Sequence, residues 1–425
     1  MTPRPTPLAS ALAALAAAAL LLAILLGRPE FVAVAVPGLV ALLAAGRPAP
    51  DIRVETALSE TRLVEGGGLT ITLVATNAGC AAATVELLLP VPPGFAVLSG
   101  AHHVALRLAP GGERRLTLVL CALTRGRFQL GEVHLRITDA FGLRVAEARG
   151  GAAANVEVYP PVLQVRHLPH PRHMRATFGN YVAPGAGEGL EPAEIRAFAP
   201  GDSVRRIHWP ASLRHDRLHV ATFHPERNAD VVVLLDSLAE TGARPQSSLD
   251  RSIAAAGAIA AAYLARNDRV GLIDYGGYLR WVAPATGRRQ LDRITAALVE
   301  SEAVFSYAKR DLDVLPRRVL PVGAIVIAVS PLLDERFTRA LLDAAGRSID
   351  LVVLAVSPIE ATRGVVAATP SMDLACRLWR LDWEDRAEAL GKRGIPLLIW
   401  HPPEESLEAV LASLPPRMQA SRATA

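Results

Sequence analysis

The residues best placed to do chemistry are Asp236 and its neighbours, which follow an uninterrupted apolar run. Residues 231–235 are all Val or Leu, and Asp236-Ser-Leu-Ala-Glu240 comes next. Carboxylate and hydroxyl oxygens suit a hard divalent cation, so Asp236, Ser237 and Glu240 are a candidate magnesium site. A single well-placed carboxylate rarely holds magnesium, however. The sequence therefore favours a metal-free site without a cofactor, with a bound magnesium ion as the alternative.

Histidines form a second group of candidate ligands. His167, His170 and His173 fall close together in a segment rich in Pro and Arg. They have no carboxylate or cysteine partner at ligand spacing, so a solvated basic loop is favoured over a metal site. Further histidines match no zinc motif such as HExxH and are interpreted as surface or packing residues; they are His208, His215, His219 and His224.

The densest polar motif extends from residue 191 to residue 214. Its candidate binding or structural residues are Glu191, Arg196, Gly201, Asp202, Arg205, Trp209 and Arg214. The aspartate of a Pro-Gly-Asp turn can accept backbone N–H bonds, and arginine forks pair with carboxylates. Two roles stay open: an exposed surface that captures an acidic partner segment, or an internal strap with paired Asp and Arg and a packed Trp209. The strap is favoured, because compact polar networks usually fix a loop.

The elements that must position Asp236 lie within residues 229–415. Apolar runs at 231–235, 270–273, 324–329, 351–356 and 395–400 alternate with stretches of helical period, and residues 278–282 predict an edge strand. This alternation predicts a doubly wound, Rossmann-like parallel sheet. Asp236 then stands at the carboxyl end of the first strand, where ligands of such sheets gather. Residues 416–425 are predicted to be a disordered tail.

An all-β region precedes this α/β domain. Residues 52–158 carry short alternating runs separated by turn residues such as Gly66-Gly67-Gly68 and Asn77-Ala78-Gly79. The spacing predicts an Ig-like β-sandwich that acts as a spacer or a docking module. Residues 159–228 are predicted to be a linker followed by the polar motif, with the part up to residue 190 as an extended connection.

A membrane hairpin is predicted over residues 1–48. Residues 8–26 form an uncharged apolar run that meets the roughly 20-residue requirement for a span. Residues 31–45 are a shorter second span containing Pro37. A signal peptide is the competing interpretation, but no clean cleavage site follows the first run. The flanking Arg4, Arg47 and Arg53 predict a two-pass protein of the cell membrane, in contact with the lipid bilayer and with cytoplasmic soluble domains.

Composition excludes other classes. Lys and Arg number 45 against 41 Asp and Glu, and no long run of like charge occurs, so nucleic acid is not an expected partner. Cys80, Cys121 and Cys376 are few and far apart, which predicts small buried apolar residues and no disulfide framework.

The polar motif resembles the signature of the DUF58 family. The order Glu, Arg, aromatic, Pro-Gly-Asp, Arg, Ile, Trp, Ser, Arg is shared, and Arg125-Gly-Arg-Phe128 and Asp139-Ala-Phe-Gly-Leu143 are similar to the β region of that family. The resemblance implies a von Willebrand A-like domain, and a partnership with a MoxR-type AAA+ ATPase and other von Willebrand A membrane proteins. A working metal site of that domain would show Asp-x-Ser-x-Ser, so the stretch from Asp236 to Glu240 resembles a degenerate version.

The expected function is therefore a membrane-anchored, non-enzymatic interaction or scaffold protein that serves assembly or maturation of a complex with the ATPase. Nucleotide-binding glycine loops and the GxSxG nucleophile elbow are absent from the sequence. One alternative is a metal-dependent hydrolase, or adhesion module, built on Asp236 and Glu240 with His208 or His215. Another is an envelope protein whose sandwich binds polymer and whose body is external.

Overall fold

A computed structural model gives the architecture of two compact units, Met1–Tyr159 and Pro160–Ala425. The structure describes residues 4–45, 51–139, 141–161, 163–169, 175–182, 187–199, 202–204, 207–223, 226–228, 230–304, 320, 324–347 and 349–413. Several predictions fall outside these residues: the tail at 416–425, and the positions of His170, His173 and His224.

The first unit begins with a helical hairpin. Helix α1 (Pro7–Leu26) is capped by the Thr6 side chain, and α2 (Glu30–Ala45) contains Pro37. The two helices pack through small residues, Ala16, Ala19 and Ala35, which let their backbones approach closely. Within the described residues, α1 is the one helix long and apolar enough to cross a membrane, whereas the second predicted span falls short.

A β-rich region follows the hairpin in the same unit. Its strands are β1 (Arg4–Pro5), β2 (Ile52–Leu58), β3 (Arg62–Val64), β4 (Gly68–Asn77), β5 (Ala83–Leu88), β6 (Phe95–Ser99), β7 (His103–Leu108), β8 (Glu113–Ala122), β9 (Gly126–Leu130), β10 (Val133–Asp139), β11 (Arg144–Gly150) and β12 (Ala154–Tyr159). They form sheets in the orders β1-β11-β10-β5-β7, β2-β4-β8-β6 and β3-β12-β9. The two larger sheets bury their inner faces against each other as a β-sandwich.

Alternation of side chains explains the sandwich core. Along β4, Leu69, Ile71 and Leu73 are buried while the residues between them are half-buried, as expected when successive side chains point to opposite faces. The prediction that all three cysteines are buried is wrong for Cys80, which is exposed in the turn after β4; Cys121 is half-buried and Cys376 buried.

The second unit is mixed α/β. Its strands are β13 (Arg175–Val182), β14 (Gly187–Ala197), β15 (His219–Phe223), β16 (Glu226–Asn228), β17 (Asp230–Asp236), β18 (Arg269–Tyr275), β19 (Leu279–Ala285), β20 (Ile325–Ser330), β21 (Asp350–Val356) and β22 (Leu397–Trp400). Its helices are α3 (Trp209–His215), α4 (Ser248–Ala265), α5 (Arg288–Val299), α6 (Glu335–Gly346), α7 (Ile359–Arg363), α8 (Pro370–Lys392) and α9 (Leu407–Ala412).

Six of these strands form one sheet in the order β19-β18-β17-β20-β21-β22, parallel except for the edge strand β19. Helices α4, α5 and α9 cover one face, and α6 and α8 cover the other. Chain order reverses at β17, which has β18 on one side and β20 on the other. In such a sheet, the carboxyl ends of the strands at the reversal form a crevice.

The segment predicted as an extended connection is instead partly packed on this unit. Leu168 is buried in the core beneath α4, with Leu163 and Val165 against it. The Tyr263 hydroxyl donates to the Pro169 carbonyl. Strands β13 and β14 also lie within the predicted linker. Sequence pattern misses such a strap because three apolar residues in an irregular backbone have no period.

His167 lies in the same strap and is not simply a solvated residue. Its Nδ1 is 2.5 Å from Glu408 Oε1, and the Arg166 N–H donates to Glu408 Oε2 at 2.6 Å. These bonds favour the charged carboxylate and lower the pKa of Glu408, the Arg166 backbone bond contributing most.

Candidate functional site

Asp236 ends β17 at the reversal point and is 1% exposed. Ser330, the last residue of β20, donates its hydroxyl to Asp236 Oδ2 at 2.5 Å. The Leu238 N–H donates to Oδ1 at 3.1 Å. Both carboxylate oxygens therefore already accept a hydrogen bond from the protein.

A second buried acid, Asp274, stands beside it on the neighbouring strand β18. The Ser237 hydroxyl donates to Asp274 Oδ1 at 2.5 Å and the Ser301 hydroxyl to Oδ2 at 2.9 Å. Arg280 lies 3.1 Å from the same Oδ2. Sequence reasoning missed Asp274, although it directly follows the predicted strand at 270–273 and so had to reach the same sheet edge as Asp236.

Burial raises the pKa of Asp236 to about 7, and the nearby charges of Asp334 and Asp274 push it the same way against the bonds from Ser330 and Leu238. Low dielectric disfavours the charged form, so the carboxyl carries a proton over much of the acidic and neutral range. Asp334 differs because its Arg336 partner lowers its pKa.

This donor set does not fit a divalent cation. Both Asp236 oxygens accept hydrogen bonds from the protein, the Ser237 hydroxyl donates to Asp274, and Glu240 lies 3.7 Å from the Arg244 guanidinium. Across the described part of the chain, no three His, Cys, Asp or Glu side chains are grouped to hold a metal ion.

The histidines of the hydrolase alternative are engaged elsewhere. His208 caps α3, its Nδ1 accepting from the Ala211 N–H at 3.2 Å. The His215 ring lies 5.1 Å from that of His219. Neither has a described contact with Asp236, so the residues of that alternative are not brought together.

The polar motif contains a closed ion pair. Arg196 NH1 and NH2 donate to Asp202 Oδ2 and Oδ1 at 2.8 and 2.7 Å, a two-pronged pairing. Asp202 Oδ2 also accepts from the Ala199 N–H at 2.8 Å. These bonds, with the Arg196 side chain contributing most, lower the pKa of Asp202. Gly201 and Arg205 lie outside the described residues, and Glu191 lies in β14.

Trp209 does not follow the strap interpretation. It begins α3 and is 58% exposed, and Leu213, one turn later, is 81% exposed. Residues four apart share a helix face, so the two side chains form one apolar surface. Arg214 and Arg217 follow, both exposed. We call Trp209 and Leu213 the Trp209 face.

The helix under this face is fixed from below. Ser212 is buried; its hydroxyl donates to the His208 carbonyl at 2.9 Å and accepts from the His219 N–H at 2.9 Å. The His208 N–H in turn donates to the His219 carbonyl at 2.8 Å. The Trp209 face is thus carried by a short helix tied to β15.

Replacing Asp202 by asparagine is expected to loosen the turn without unfolding the unit. The substitution removes the charge that holds both arginine nitrogens, and the amide cannot accept at all three sites. Hydrogen exchange at the Ala199 amide should accelerate several-fold in the full-length variant, with an unchanged unfolding midpoint. Unaltered exchange would show that the ion pair does not hold the turn. In the native protein, acid should have the same effect, because protonation of the carboxyl removes bonds present at neutral pH.

Comparison with known families and proteins finds partial matches. The sequence model of a family described as "Protein of unknown function DUF58" matches residues 194–364, which include the polar motif and Asp236. Uncharacterized proteins of Mycobacterium tuberculosis and Mycobacterium bovis are 27% identical over 187 residues, or 42% of this chain. The uncharacterized protein YeaD of Bacillus subtilis is 24% identical over 166 residues, covering 38% of this chain and 42% of that protein. The matched region spans 59% of the length of the mycobacterial relatives.

Solved structures give weaker similarities. The cupredoxin domain of amoB from Nitrosocaldus yellowstonii aligns with 29% of this chain and 96% of its own length, at a TM-score of 0.20 and 15% identity. Native alpha-2-macroglobulin from Escherichia coli aligns with 36% of this chain and 21% of its own, at a TM-score of 0.24 and 17% identity. TM-scores this low carry no argument about function.

Proposed function

We propose that this chain is a membrane-anchored, non-enzymatic interaction protein whose Trp209 face docks a partner protein, a MoxR-type AAA+ ATPase, in the assembly or maturation of a complex. The observation that carries the proposal is the exposure of Trp209 and Leu213 on a helix whose backbone is fixed by Ser212. Exposed apolar side chains on a fixed helix are typical of a binding surface rather than of a helix that packs inside the fold.

Composition and rigidity of the face both favour binding. Tryptophan is among the residue types that most often dominate the energy of protein interfaces. A short helix already held in place loses little conformational freedom when a partner binds. The partner surface complementary to Trp209 and Leu213 is therefore apolar at its centre.

The identity of the partner rests on family resemblance. The six-stranded sheet reversing at β17, with Asp236 at the strand end, is the arrangement expected for a von Willebrand A-like domain. That resemblance brings the MoxR-type ATPase and other von Willebrand A membrane proteins as candidate partners. The carboxylate oxygens of Asp236 and Asp274 already accept hydrogen bonds from the protein. This favours contact with a partner protein, rather than metal chemistry, at this edge of the sheet.

The way the hairpin joins the sandwich supports the proposed two-pass anchor. Strand β1 pairs with β11, so the chain enters α1 from the sandwich side. After α2 the chain re-enters the sandwich at β2, where Ile52 pairs with Asn77. If α1 crosses the bilayer, α2 has to return across it. Its 16 residues span about 24 Å, less than the hydrocarbon core of about 30 Å, so it requires tilt or local thinning.

The topology is tested by placing a single cysteine at Gly27, between the two helices, in a variant whose native cysteines are alanine. A membrane-impermeant maleimide added to intact cells should label this position, since the two-pass arrangement with a cytoplasmic body puts it outside. A cysteine at Leu123 in the sandwich is the matched control and should react only after lysis. Labelling of Leu123 in intact cells would instead place the body outside.

The function is tested by in-cell cross-linking, followed by purification of the full-length protein from membranes. We expect a MoxR-type AAA+ ATPase in the wild-type sample. Absence of that ATPase from a sample with efficient cross-linking would overturn the proposed partnership.

A further inference from the structure

The start of α1 is bonded to one turn of the β-sandwich. Arg4 pairs with Val145, and Pro5 with Arg144. The Thr6 N–H donates to the Leu143 carbonyl at 2.9 Å. These bonds place the first turn of the apolar helix against the turn between β10 and β11.

A single hydroxyl links the two elements most closely. Thr6 Oγ1 donates to the Gly142 carbonyl at 2.7 Å, and the same oxygen accepts from the Ala9 N–H at 3.3 Å as the cap of α1. The beginning of the helix and the β10–β11 turn therefore sit at the same depth along the helix axis.

The turn between β10 and β11 is held by hydrogen bonds and leaves the Phe141 side chain exposed. Asp139 Oδ1 accepts from the Leu143 N–H at 2.7 Å and from the Arg144 N–H at 3.3 Å. Gly142 adopts φ +72°, a conformation that favours glycine, and Leu143 is buried beneath it. Phe141 nevertheless is 55% exposed. A fixed turn that exposes a phenylalanine makes its ring available for a contact outside the protein.

Helix length sets where that contact lies. The 20 residues of α1 rise about 30 Å, which matches the hydrocarbon core of a bilayer. Because the span uses the whole helix, its first residues lie at the boundary between hydrocarbon and headgroups. Phe141, one residue from the carbonyl bonded to Thr6, is brought to the same boundary.

We infer that the Phe141 turn rests on the phospholipid surface, with the phenylalanine ring inserted in the interfacial layer and Arg4 beside the headgroup phosphates. This inference rests on the proposed membrane anchor and adds a second, interfacial contact. Phenylalanine is among the residues that interfacial segments bury at the acyl boundary, and arginine among those that contact the headgroups. The contact fixes the sandwich against the membrane at one end.

The opposite end of the sandwich provides a control position. Asp139 and Leu108 both pair with Ala83, and the Asn77 side chain donates to the Leu108 carbonyl, so these residues share the membrane end. Leu123 follows the other end of β8, roughly 30 Å away along the strand.

The experiment uses the full-length protein with its native cysteines changed to alanine and reconstituted in phospholipid nanodiscs. Phe141→Cys and Leu123→Cys each receive an environment-sensitive fluorophore. Lipids with a spin label near the headgroup should quench the probe at 141 several-fold more than the probe at 123, with a blue-shifted emission at 141 alone.

Alkaline extraction of the same variants from cell membranes separates the two proposals. Retention in the membrane, together with a probe at 141 that is as solvent-exposed as the one at 123, overturns the Phe141 contact alone. Release by alkali overturns the anchor and with it the contact. Retention with selective quenching at 141 supports both.

Discussion

Replacing Trp209 by alanine is expected to weaken capture of the partner by about 30-fold or more, because truncating a central aromatic of an interface typically costs about 2 kcal/mol or more. The side chain is 58% exposed in the free protein, so its loss should leave the unfolding midpoint unchanged. Binding of the purified ATPase to the full-length protein in detergent or nanodiscs measures the change. Leu213→Ala should act in the same direction with a smaller effect, as the second apolar residue of the Trp209 face.

Trp281 offers a matched control within the same unit. It is 61% exposed, on the edge strand β19, and Trp281→Ala removes the same chemistry from a different surface. We expect the Trp281→Ala variant to bind the ATPase with the affinity of the wild type. Equal affinity of all variants would exclude the Trp209 face as the docking surface, even if the ATPase proves to be a partner. Weakening by Trp281→Ala alone would move the interface to the sheet edge.

Asp236, at the carboxyl end of β17, shows how much of a site can be predicted from the sequence. Five Val and Leu residues before Asp236 are enough to predict a buried strand, and a strand end is enough to place Asp236 at the sheet edge. The hydrogen-bond partners of Asp236, in contrast, depend on contacts between residues far apart in the sequence. Ser330, its hydroxyl donor, is 94 positions away along the chain, and only the strand order β17-β20 makes them neighbours.

The polar motif divides in the same way. The two-pronged pairing of Arg196 with Asp202 is local and follows from residue types and spacing. The exposure of Trp209 is not predictable from the sequence, since tryptophan side chains are usually largely buried. Whether this one is buried depends on which other segments of the folded chain pack against it. Phe141 is a similar case, because its significance depends on the Thr6 bond to Gly142, 136 positions apart.

The contribution of Asp236 to the stability of the second unit is expected to fall as pH rises from about 4 to about 7. The unfolded carboxyl ionises near 3.8 and the folded one near 7, so the folded state holds a proton over this interval that the unfolded state has lost. The contribution is full below about 4, declines through the interval and stays constant above about 7, for a total on the order of 4 kcal/mol.

Asp236→Asn isolates this contribution because the amide cannot ionise. Its oxygen can still accept from the Leu238 N–H, whereas its nitrogen faces the Ser330 hydroxyl as a donor, so that one bond reverses its direction. The difference between wild type and variant in urea unfolding of the full-length protein should therefore shift in favour of the variant as pH rises. Asp334→Asn is the control, since the Arg336 partner lowers the pKa of Asp334 and its charge stabilises the fold above the unfolded value of 3.8. Its difference from wild type should therefore stay constant from about pH 4 to about pH 7 and shrink only in stronger acid. A pH-independent difference for Asp236→Asn over this interval would show that the carboxyl is ionised in the fold and that burial does not raise its pKa.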